Sequence, residues 1–308
     1  MTRIVVGVDG GGSRTRVIVA DEHGAELARA EGEPSAMKLG DANRSATAVA
    51  AVVADGLRAA GLSGTLPSVV CVGISGAGRE PDRQALVQAL APLHLADDVI
   101  VHADATIALD DAFGDGPGIV LIAGTGSVAF GRGPTGTYGR CGGWGPVCGD
   151  EGGGTWIGRR ALSVVTASAD GREPQTALLG AVLTAAQVTT VHELIRWAAG
   201  AGPTGLATLV PAVLQCAESG DLRANAVVSF AAEELVLHVR TLARRLFTDE
   251  RAAAPVAFAG GLLDRRSLLR ARVEHRLKSA VPGAVLDPRD VVPARGAVRN
   301  ALRVLAAQ

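Results

Sequence analysis

Near the N-terminus, apolar and polar residues alternate with the period of two that is typical of β-strands. Three short β-branched runs predict strands at about 3–9, 14–21 and 25–31. The polar turn Asp21-Glu22-His23-Gly24 joins the last two runs. We therefore expect the chain to begin with an antiparallel β-meander.

Beyond this meander, helical spacing alternates with predicted strands. The helical spacing covers about 41–60 and 81–93, and the strands cover 68–74 and 98–102. The continuous apolar run at 68–74 is typical of a parallel strand buried on both faces. The resulting order βββαβαβ predicts one compact lobe that ends near residue 112.

The strand pattern starts again at Gly118, and a long helical region follows it. After a third strand near 137–141, we predict helices at about 154–168, 174–187, 190–199, 204–218 and 222–248. The remaining predicted elements are a strand at 255–259 and helices at 265–279 and 294–307. We expect an α/β fold of two lobes, 1–112 and 113–291, the second with a helical insertion. The C-terminal helix, within 292–308, is expected to pack back on the first lobe.

Composition narrows the class of protein. The chain has 308 residues, 48% of them hydrophobic and 20% charged, as in a globular enzyme with more than one core. The net charge of −1 gives no signal for nucleic acid or for an anionic membrane surface. The sequence enters a strand without a secretory leader, and no apolar run approaches about 18 uninterrupted residues. We expect a cytoplasmic protein that binds neither nucleic acid nor a membrane.

The positions of the lysines and cysteines exclude a P-loop and a CxxC pair. Neither Lys38 nor Lys278 follows a glycine-rich turn, which excludes a P-loop. The cysteines form no CxxC pair, so we expect reduced thiols; they are Cys71, Cys141, Cys148 and Cys216.

A glycine-rich turn joins the first two predicted strands. Gly11, Gly12, Ser13 and Thr15 offer N–H and hydroxyl donors that suit an anionic phosphate. Asp9, just before the turn, is placed to hold a hydrated Mg²⁺ beside such phosphates. An ordinary tight hairpin turn is the alternative interpretation of the same residues.

A second segment, 118–130, repeats this pattern of strand, turn and strand. Its turn contains Gly124, Thr125, Gly126 and Ser127. Two such hairpins favour an internal duplication whose halves face one nucleotide, against the alternative of two unrelated hairpins.

A third junction, Gly260-Gly261, follows the strand predicted at 255–259. Paired glycines there would let a flat ligand such as adenine lie against the backbone. Two glycines at the start of a helix are common, so this motif is weak by itself.

Asp104 follows a predicted strand at the point where a helix begins. Carboxyl ends of strands are the ligand-binding edge of open α/β sheets. Asp104 is therefore either the N-cap of the helix or a general base that faces a ligand. His102, two residues earlier, is interpreted as structural.

The segment 141–156 is rich in glycine and surrounds two adjacent carboxylates, Asp150 and Glu151. Ordering so many glycines is entropically unfavourable, which favours a ligand-binding role over a plain loop. Asp150 suits sugar hydroxyls, and Glu151 suits them or the cap of the next helix. Trp144 and Trp156 are also compatible with a core.

Together these motifs resemble the sugar kinase, heat-shock chaperone and actin superfamily. Within it they are most similar to the BadF/BadG/BcrA/BcrD ATPase family and its N-acetylglucosamine kinases. The motifs occur in order between residues 3 and 263: DGGGSRT at 9–15, HADA at 102–105, AGTGS at 123–127, GGWGPVCGDEGGGTWIG at 142–158 and AGG at 259–261.

The resemblance implies two ribonuclease-H-like lobes flanking a cleft that holds MgATP and a sugar. Asp9 would orient Mg²⁺ through water, and Asp104 would be the base for the sugar 6-hydroxyl. The phosphate-binding residues would be Gly11, Gly12, Ser13, Thr15, Gly124, Thr125, Gly126 and Ser127. Gly260 and Gly261 would contact adenosine, and the sugar would be bound by Asp104, Thr125, Gly143 and Asp150. A homodimer is expected by analogy.

One departure from the family pattern leaves the sugar open. The turn Gly32-Glu33-Pro34-Ser35-Ala36 has alanine where the family often has a sugar-binding asparagine. Glucosamine, N-acetylmuramic acid or another hexose are therefore alternatives to N-acetylglucosamine. An ATPase that activates a dehydratase through an iron–sulfur cluster, with Cys141 and Cys148 as ligands, is the alternative from another class.

Overall fold

Two mixed β-sheets organise the chain, one in each of two units. The structure is a computed structural model that describes residues 2–38, 40–248 and 253–308. The first unit comprises Met1–Gly116 and Arg289–Gln308, and the second comprises Pro117–Pro288.

The first unit begins with the predicted meander and continues with parallel strands. Its strands are β1 (Ile4–Gly10), β2 (Thr15–Asp21), β3 (Glu26–Gly32), β4 (Val69–Ile74) and β5 (Asp98–Ala103). The helices that alternate with them are α1 (Ala42–Ala59), α2 (Glu80–Leu90) and α3 (Asp104–Phe113). The sheet order is β3-β2-β1-β4-β5, with β1 antiparallel to β2 and parallel to β4.

The second unit repeats this arrangement around a larger set of helices. Its strands are β6 (Gly118–Ala123), β7 (Ser127–Arg132), β8 (Tyr138–Gly142), β9 (Ala254–Ala259) and β10 (Ala284–Leu286). Its helices are α4 (Gly154–Ala169), α5 (Leu178–Ala185), α6 (Val191–Ala207), α7 (Val210–Glu218), α8 (Leu222–Leu246) and α9 (Leu268–Ala280). The sheet order is β10-β9-β6-β7-β8, with β6 antiparallel to β7 and parallel to β9.

The two sheets therefore share one topology. In each, the first strand lies in the centre, pairs antiparallel with the second and parallel with the fourth. This confirms the expected α/β class of the sugar kinase and actin type, with a second unit rich in helices. It also supports the internal duplication that the repeated hairpins predict.

The C-terminal helix α10 (Pro293–Ala306) belongs to the first unit and packs on its sheet. Glycines allow the close approach: a Cβ at Gly7 of β1 would lie 2.5 Å from the backbone nitrogen of Val298. The buried carboxylate of Asp111 in α3 accepts from the guanidinium of Arg295 at 2.8 Å and from the N–H of Val292 at 2.7 Å.

Most predicted elements are confirmed, and two predictions are wrong. The helix predicted at 204–218 is interrupted, because α6 continues to Ala207 across a break at Gly202 (φ +61°) and Pro203 and α7 begins at Val210. The three-residue edge strand β10 is absent from the prediction, since so short a run has no period of its own.

Within the described ranges, no single helix is long and apolar enough to cross a membrane. Only the bent pair of α6 and α7 reaches that length and composition, and only when the two helices are taken together.

Candidate functional site

The carboxyl ends of β1, β4 and β5 lie side by side at one edge of the first sheet. The register aligns Gly10 with Ile74, and Ile74 with Ala103. Three polar residues therefore lie next to or one position from these aligned strand ends: Asp9, Ser75 and Asp104. This is the edge at which open α/β sheets bind their ligands.

Asp104 is the first residue of α3, one position after the N-cap, although its carboxylate does accept from a free N–H of the first turn. The N-cap is Ala103, which makes no side-chain capping bond. The Asp104 carboxylate accepts from the N–H of Ala105 at 2.8 Å and from the hydroxyl of Ser75. Burial outweighs these hydrogen bonds and raises the pKa of Asp104. The carboxylate is thus fixed in orientation and has the increased proton affinity that suits a general base.

Asp9 lies opposite Arg16 in the β1–β2 register. Its side chain is 16% exposed, and Oδ2 is 4.0 Å from Nη1 of Arg16. Burial, followed by the negative charge of Asp104, raises the pKa of Asp9 to about 6, although the guanidinium groups of Arg16 and Arg14 act in the opposite direction. Two partly buried carboxylates with incomplete counter-charge form an environment that a cation would neutralise.

These residues fit a magnesium ion that is held mainly by water and phosphate. Mg²⁺ commonly uses one or two carboxylates and completes its shell with water and substrate oxygens. Among the described residues no group of three or more His, Cys, Asp or Glu side chains is arranged to hold a metal ion. Asp9 would therefore hold the ion as part of a substrate complex, consistent with contact through water.

The β1–β2 turn is fixed by backbone hydrogen bonds from three segments. The N–H of Gly11 donates to Arg14 at 3.0 Å, and the carbonyl of Gly11 accepts from Ala36 at 3.1 Å. The N–H of Ser75 donates to the carbonyl of Gly10 at 2.8 Å. The turn, the segment after β3 and the end of β4 thus form one wall, with Gly11 and Gly12 partly exposed on it and Ser13 fully exposed.

Thr15 is inside this wall. Its side chain is fully buried, and its hydroxyl lies 2.6 Å from the carbonyl oxygen of Glu33 and 2.8 Å from the hydroxyl of Ser35. A hydroxyl has one proton, and this one is donated to a backbone carbonyl. We therefore assign Thr15 to supporting the turn and not to contacting phosphate.

In the second unit, the β6–β7 turn is bonded to the start of α4. The N–H of Gly154 donates to Gly124 at 2.8 Å, and the N–H of Thr155 donates to Thr125 at 2.9 Å. A Cβ at Gly153 would lie 2.6 Å from the carbonyl carbon of Gly126. The first N–H groups of α4 thus hold the turn in place.

Ser127 repeats the arrangement of Thr15. Its side chain is 4% exposed, and its hydroxyl donates to the carbonyl of Glu151 at 2.6 Å. We therefore also assign Ser127 to supporting the second turn and not to contacting phosphate.

The glycine loop, residues 142–153, connects β8 to α4 and packs on this turn. The N–H of Gly143 donates to the carbonyl of Ser127 at 2.9 Å. Asp150 is buried with φ +59°, and its carboxylate accepts from the N–H of Gly145 at 3.1 Å. A Cβ at Gly126 would lie 2.8 Å from Cγ of Asp150. The structure therefore brings the predicted phosphate turn and the predicted sugar-binding carboxylate together within the second unit.

Gly260 lies where β9 ends beside β6. It has φ +86°, and a Cβ would lie 2.6 Å from the carbonyl carbon of Ala123. A side chain is excluded there on both grounds. Gly261 has open space around the position of a Cβ and is exposed, so this pair presents bare backbone at the carboxyl edge of the second sheet.

Sequence reasoning missed two residues of these sites. Ser75 holds Asp104, and its only sequence signal is a hydroxyl directly after a buried strand. His238 in α8 packs on Gly142 of the glycine loop. Its signal is an ionisable side chain within the apolar stripe of an amphipathic helix.

Residues 6–301 match the BadF/BadG/BcrA/BcrD ATPase family. The chain belongs to this family. It is 30% identical to an N-acetyl-D-glucosamine kinase of Dictyostelium discoideum, over 97% of this chain and 98% of that protein. It is also 30% identical to an N-acetylmuramic acid/N-acetylglucosamine kinase of Clostridium acetobutylicum, over 87% and 88% of the two chains.

A solved structure shows the same fold along the whole chain. The crystal structure of a candidate N-acetylglucosamine kinase from Chromobacterium violaceum superposes with a TM-score of 0.81 at 31% identity. The match covers 96% of this chain and 98% of that one, so both units are shared with this family member.

Proposed function

We propose that the protein is an ATP-dependent kinase that transfers the γ-phosphoryl group to the 6-hydroxyl of an amino sugar, N-acetylglucosamine. The observation that carries the proposal is the fixed, partly buried carboxylate of Asp104 next to Asp9 at the carboxyl edge of the first sheet. Support also comes from relatives that match nearly the whole chain and carry sugar kinase names.

In this proposal Asp104 accepts the proton of the sugar 6-hydroxyl as that oxygen attacks phosphorus. The hydrogen bonds from Ala105 and Ser75 keep its lone pairs in one direction. The increased pKa strengthens the carboxylate as a base. Phosphoryl transfer depends mainly on alignment and charge neutralisation, so a fixed base is the chemical contribution most needed from the protein.

Asp9 would hold the magnesium of MgATP through water. Mg²⁺ neutralises charge on the phosphate oxygens. Gly12 and Ser13 of the first turn, and Thr125 and Gly126 of the second, would contact the phosphates through backbone N–H groups. The N–H groups of Gly11 and Gly124 are donated within the turns themselves and would shape them. Gly260 and Gly261 would contact adenosine.

The sugar would be bound by Gly143, Asp150 and Thr125 together with Asp104. The packing of Asp150 on Gly126 supports this assignment, because it fixes a carboxylate beside the second turn. Ala36 donates its N–H to Gly11, so its methyl group replaces the expected asparagine directly beside the first turn. Glucosamine, N-acetylmuramic acid and other hexoses are therefore included as test substrates. We further propose a cytoplasmic homodimer, of which light scattering on the purified protein tests the dimeric state.

The test is a coupled ADP-release assay across hexoses and amino sugars, with Asp104→Asn beside the wild type. Removing the base is expected to lower kcat by about 10²–10⁴-fold. Asp97→Asn is the matched control, since Asp97 is exposed and precedes β5 at its other end. It should retain wild-type turnover.

Turnover of N-acetylglucosamine that is lost only in Asp104→Asn would support both the substrate and the base. Turnover confined to another sugar would keep the kinase and reject the proposed substrate. Background ADP release with every sugar would reject the kinase, and a brown protein that binds iron would then favour the dehydratase activator.

A further inference from the structure

Helix α8 lies along β7, β8 and the glycine loop and presents a stripe of small and apolar residues to their glycines. A Cβ at Gly152 would lie 2.6 Å from Cγ of Leu235. A Cβ at Gly139 would lie 3.1 Å from Cδ2 of Leu242. The stripe consists of Ala231, Leu235, His238, Leu242 and Leu246, at helical spacing. The contact at Gly152 excludes a side chain and the one at Gly139 leaves little room for it, so α8 is the surface on which this part of the second unit rests.

His238 is the polar exception in this stripe. It is 5% exposed, and a Cβ at Gly142 would lie 2.8 Å from its Cε1. Its Nδ1 is buried and has no hydrogen-bond partner among the described residues. An unpaired buried polar atom costs about 1–3 kcal/mol. A leucine would fill the same space without this cost, so packing alone does not explain a histidine here.

The other ring nitrogen faces the far end of the glycine loop. Nε2 of His238 lies 3.7 Å from Oε2 of Glu151, whose side chain is 36% exposed. The backbone carbonyl of Glu151 accepts from Ser127 at 2.6 Å. His238 therefore contacts the loop at its first residue, Gly142, and at the residue that follows Asp150.

An anchor outside the loop adds to the hydrogen bonds within it, such as that from Gly145 to Asp150, and offsets the cost of ordering its glycines. Glycines lose more conformational entropy on ordering than other residues. Asp150, in contrast, adopts a left-handed conformation, φ +59°, which is unfavourable for a residue with a side chain. It is retained only where surrounding contacts hold it.

We propose that His238 is a positioning residue for sugar binding: through Glu151 it holds the glycine loop in the conformation that places the Asp150 carboxylate on Gly126. This inference rests on the proposed function. Nε2 of the ring faces the Glu151 carboxylate at 3.7 Å, and the ring packs on Gly142. A leucine would keep the packing on Gly142 and lose the directed contact with Glu151.

The test compares His238→Leu, His238→Gln, Glu151→Gln and the double variant His238→Leu/Glu151→Gln. For His238→Leu we expect the KM for the sugar to rise about tenfold, the size of one lost polar contact of about 1.4 kcal/mol. The kcat and the KM for ATP should stay within about twofold. His238→Gln keeps an amide donor and should restore most of the sugar affinity. The double variant should be no worse than His238→Leu, because both changes remove the same contact.

A purely structural role is distinguished by stability. His238→Leu should unfold at the wild-type temperature or above it, since it removes an unpaired polar atom. Leu242→Met is the matched control, a volume-conserving change one turn further along the stripe, and should leave all kinetic constants unchanged. A lower unfolding temperature in His238→Leu with both KM values rising together, or additive effects in the double variant, would overturn the proposal.

Hydrogen exchange gives a readout that does not require turnover. In the ligand-free protein, His238→Leu should speed amide exchange in residues 143–153 by about tenfold and leave β1 to β5 unchanged. Unchanged exchange in this loop would overturn the inference about His238. A wild-type protein that turns over no sugar would instead overturn the proposed function, while the exchange experiment would still decide the role of His238.

Discussion

The two sheets have one topology but different chemistry at equivalent positions. In both, a hydroxyl residue opens the second strand, is buried, and donates to a backbone carbonyl in the segment after the third strand. Thr15 donates to Glu33 and Ser127 donates to Glu151, each at 2.6 Å. The duplication has thus preserved the hydrogen bond that shapes each turn.

Charge is what differs between the two units. Asp9 stands one pair before the end of the β1–β2 ladder, opposite Arg16. The equivalent position of the β6–β7 ladder is Ile122, opposite Val128. The first unit therefore supplies carboxylates at its sheet edge, whereas the second supplies bare backbone at Gly260 and a carboxylate only in the glycine loop.

The segment after the third strand differs as well. In the first unit one helix, α1, connects β3 to β4, whereas five helices, α4 to α8, connect β8 to β9 in the described part of the chain. This insertion is what brings α8 and His238 against the glycine loop. The shared sheet topology thus fixes where each glycine turn lies, whereas the inserted segments are where the two units differ.

The largest expected effect is in the comparison of Asp9→Asn with Ile122→Val. This pair tests whether the first unit supplies the charged groups that the reaction needs. If charge chemistry belongs to the first unit, Asp9→Asn should lower kcat by at least about a hundredfold and weaken the dependence on Mg²⁺. Ile122→Val at the equivalent position should change kcat by less than about twofold. Initial rates over a magnesium titration measure both. A tenth or more of wild-type activity in Asp9→Asn would contradict this assignment.

The next largest effect is expected at the glycine that ends β9. Gly260→Ala forces a side chain into a positive-φ position against Ala123, and we expect a loss of about 3 kcal/mol of stability. Gly261→Ala, with open space and no positive φ, should stay within about 0.5 kcal/mol of the wild type. Urea unfolding measures the difference. Equal effects of the two changes would show that bare backbone is not required at Gly260.

Asp9 should also reduce the stability of the metal-free protein at neutral pH. Its pKa is raised from 3.8 to about 6 on folding, so the folded state binds more protons than the unfolded state between about pH 4 and 6. The unfolding free energy should therefore fall as the pH rises through this window. Asp9→Asn removes this loss and should be about 2 kcal/mol more stable than the wild type at pH 7. Thermal unfolding in chelating buffer at pH 4.5 and 7 checks this, and a wild-type-like pH dependence in Asp9→Asn would contradict it.

The smallest predicted effects test the hydrogen bond from a buried hydroxyl to a backbone carbonyl that the two units share. Thr15→Val and Ser127→Ala each leave a backbone carbonyl without its donor and should cost about 1–2 kcal/mol. The KM for ATP should change by less than about twofold in both, because neither hydroxyl is assigned to phosphate. Thr15→Ser keeps the hydroxyl and should recover most of the stability. A large rise in the KM for ATP with unchanged stability would instead indicate that these hydroxyls contact phosphate.

The chain's local patterns were sufficient for most of the fold. β-Branched runs bounded by glycine predict both hairpins, and the uniformly apolar run at 68–74 predicts the buried strand β4. The position of Asp104 directly after a strand also follows from sequence, because the strand predicted at 98–102 ends just before it. These features depend on neighbours within a few residues.

Tertiary structure alone decided which partner each polar group has. A hydroxyl beside a glycine turn is compatible with a phosphate or with a backbone carbonyl, and only the fold shows Glu33 beside Thr15 and Glu151 beside Ser127. The same holds for Asp104, whose carboxylate accepts from Ala105 and from the hydroxyl of Ser75. It holds for Ser75 and His238, whose partners lie far away in sequence. Periodicity encodes which face of an element is buried, whereas a hydrogen-bond partner is set by the packing of elements that the local sequence does not specify.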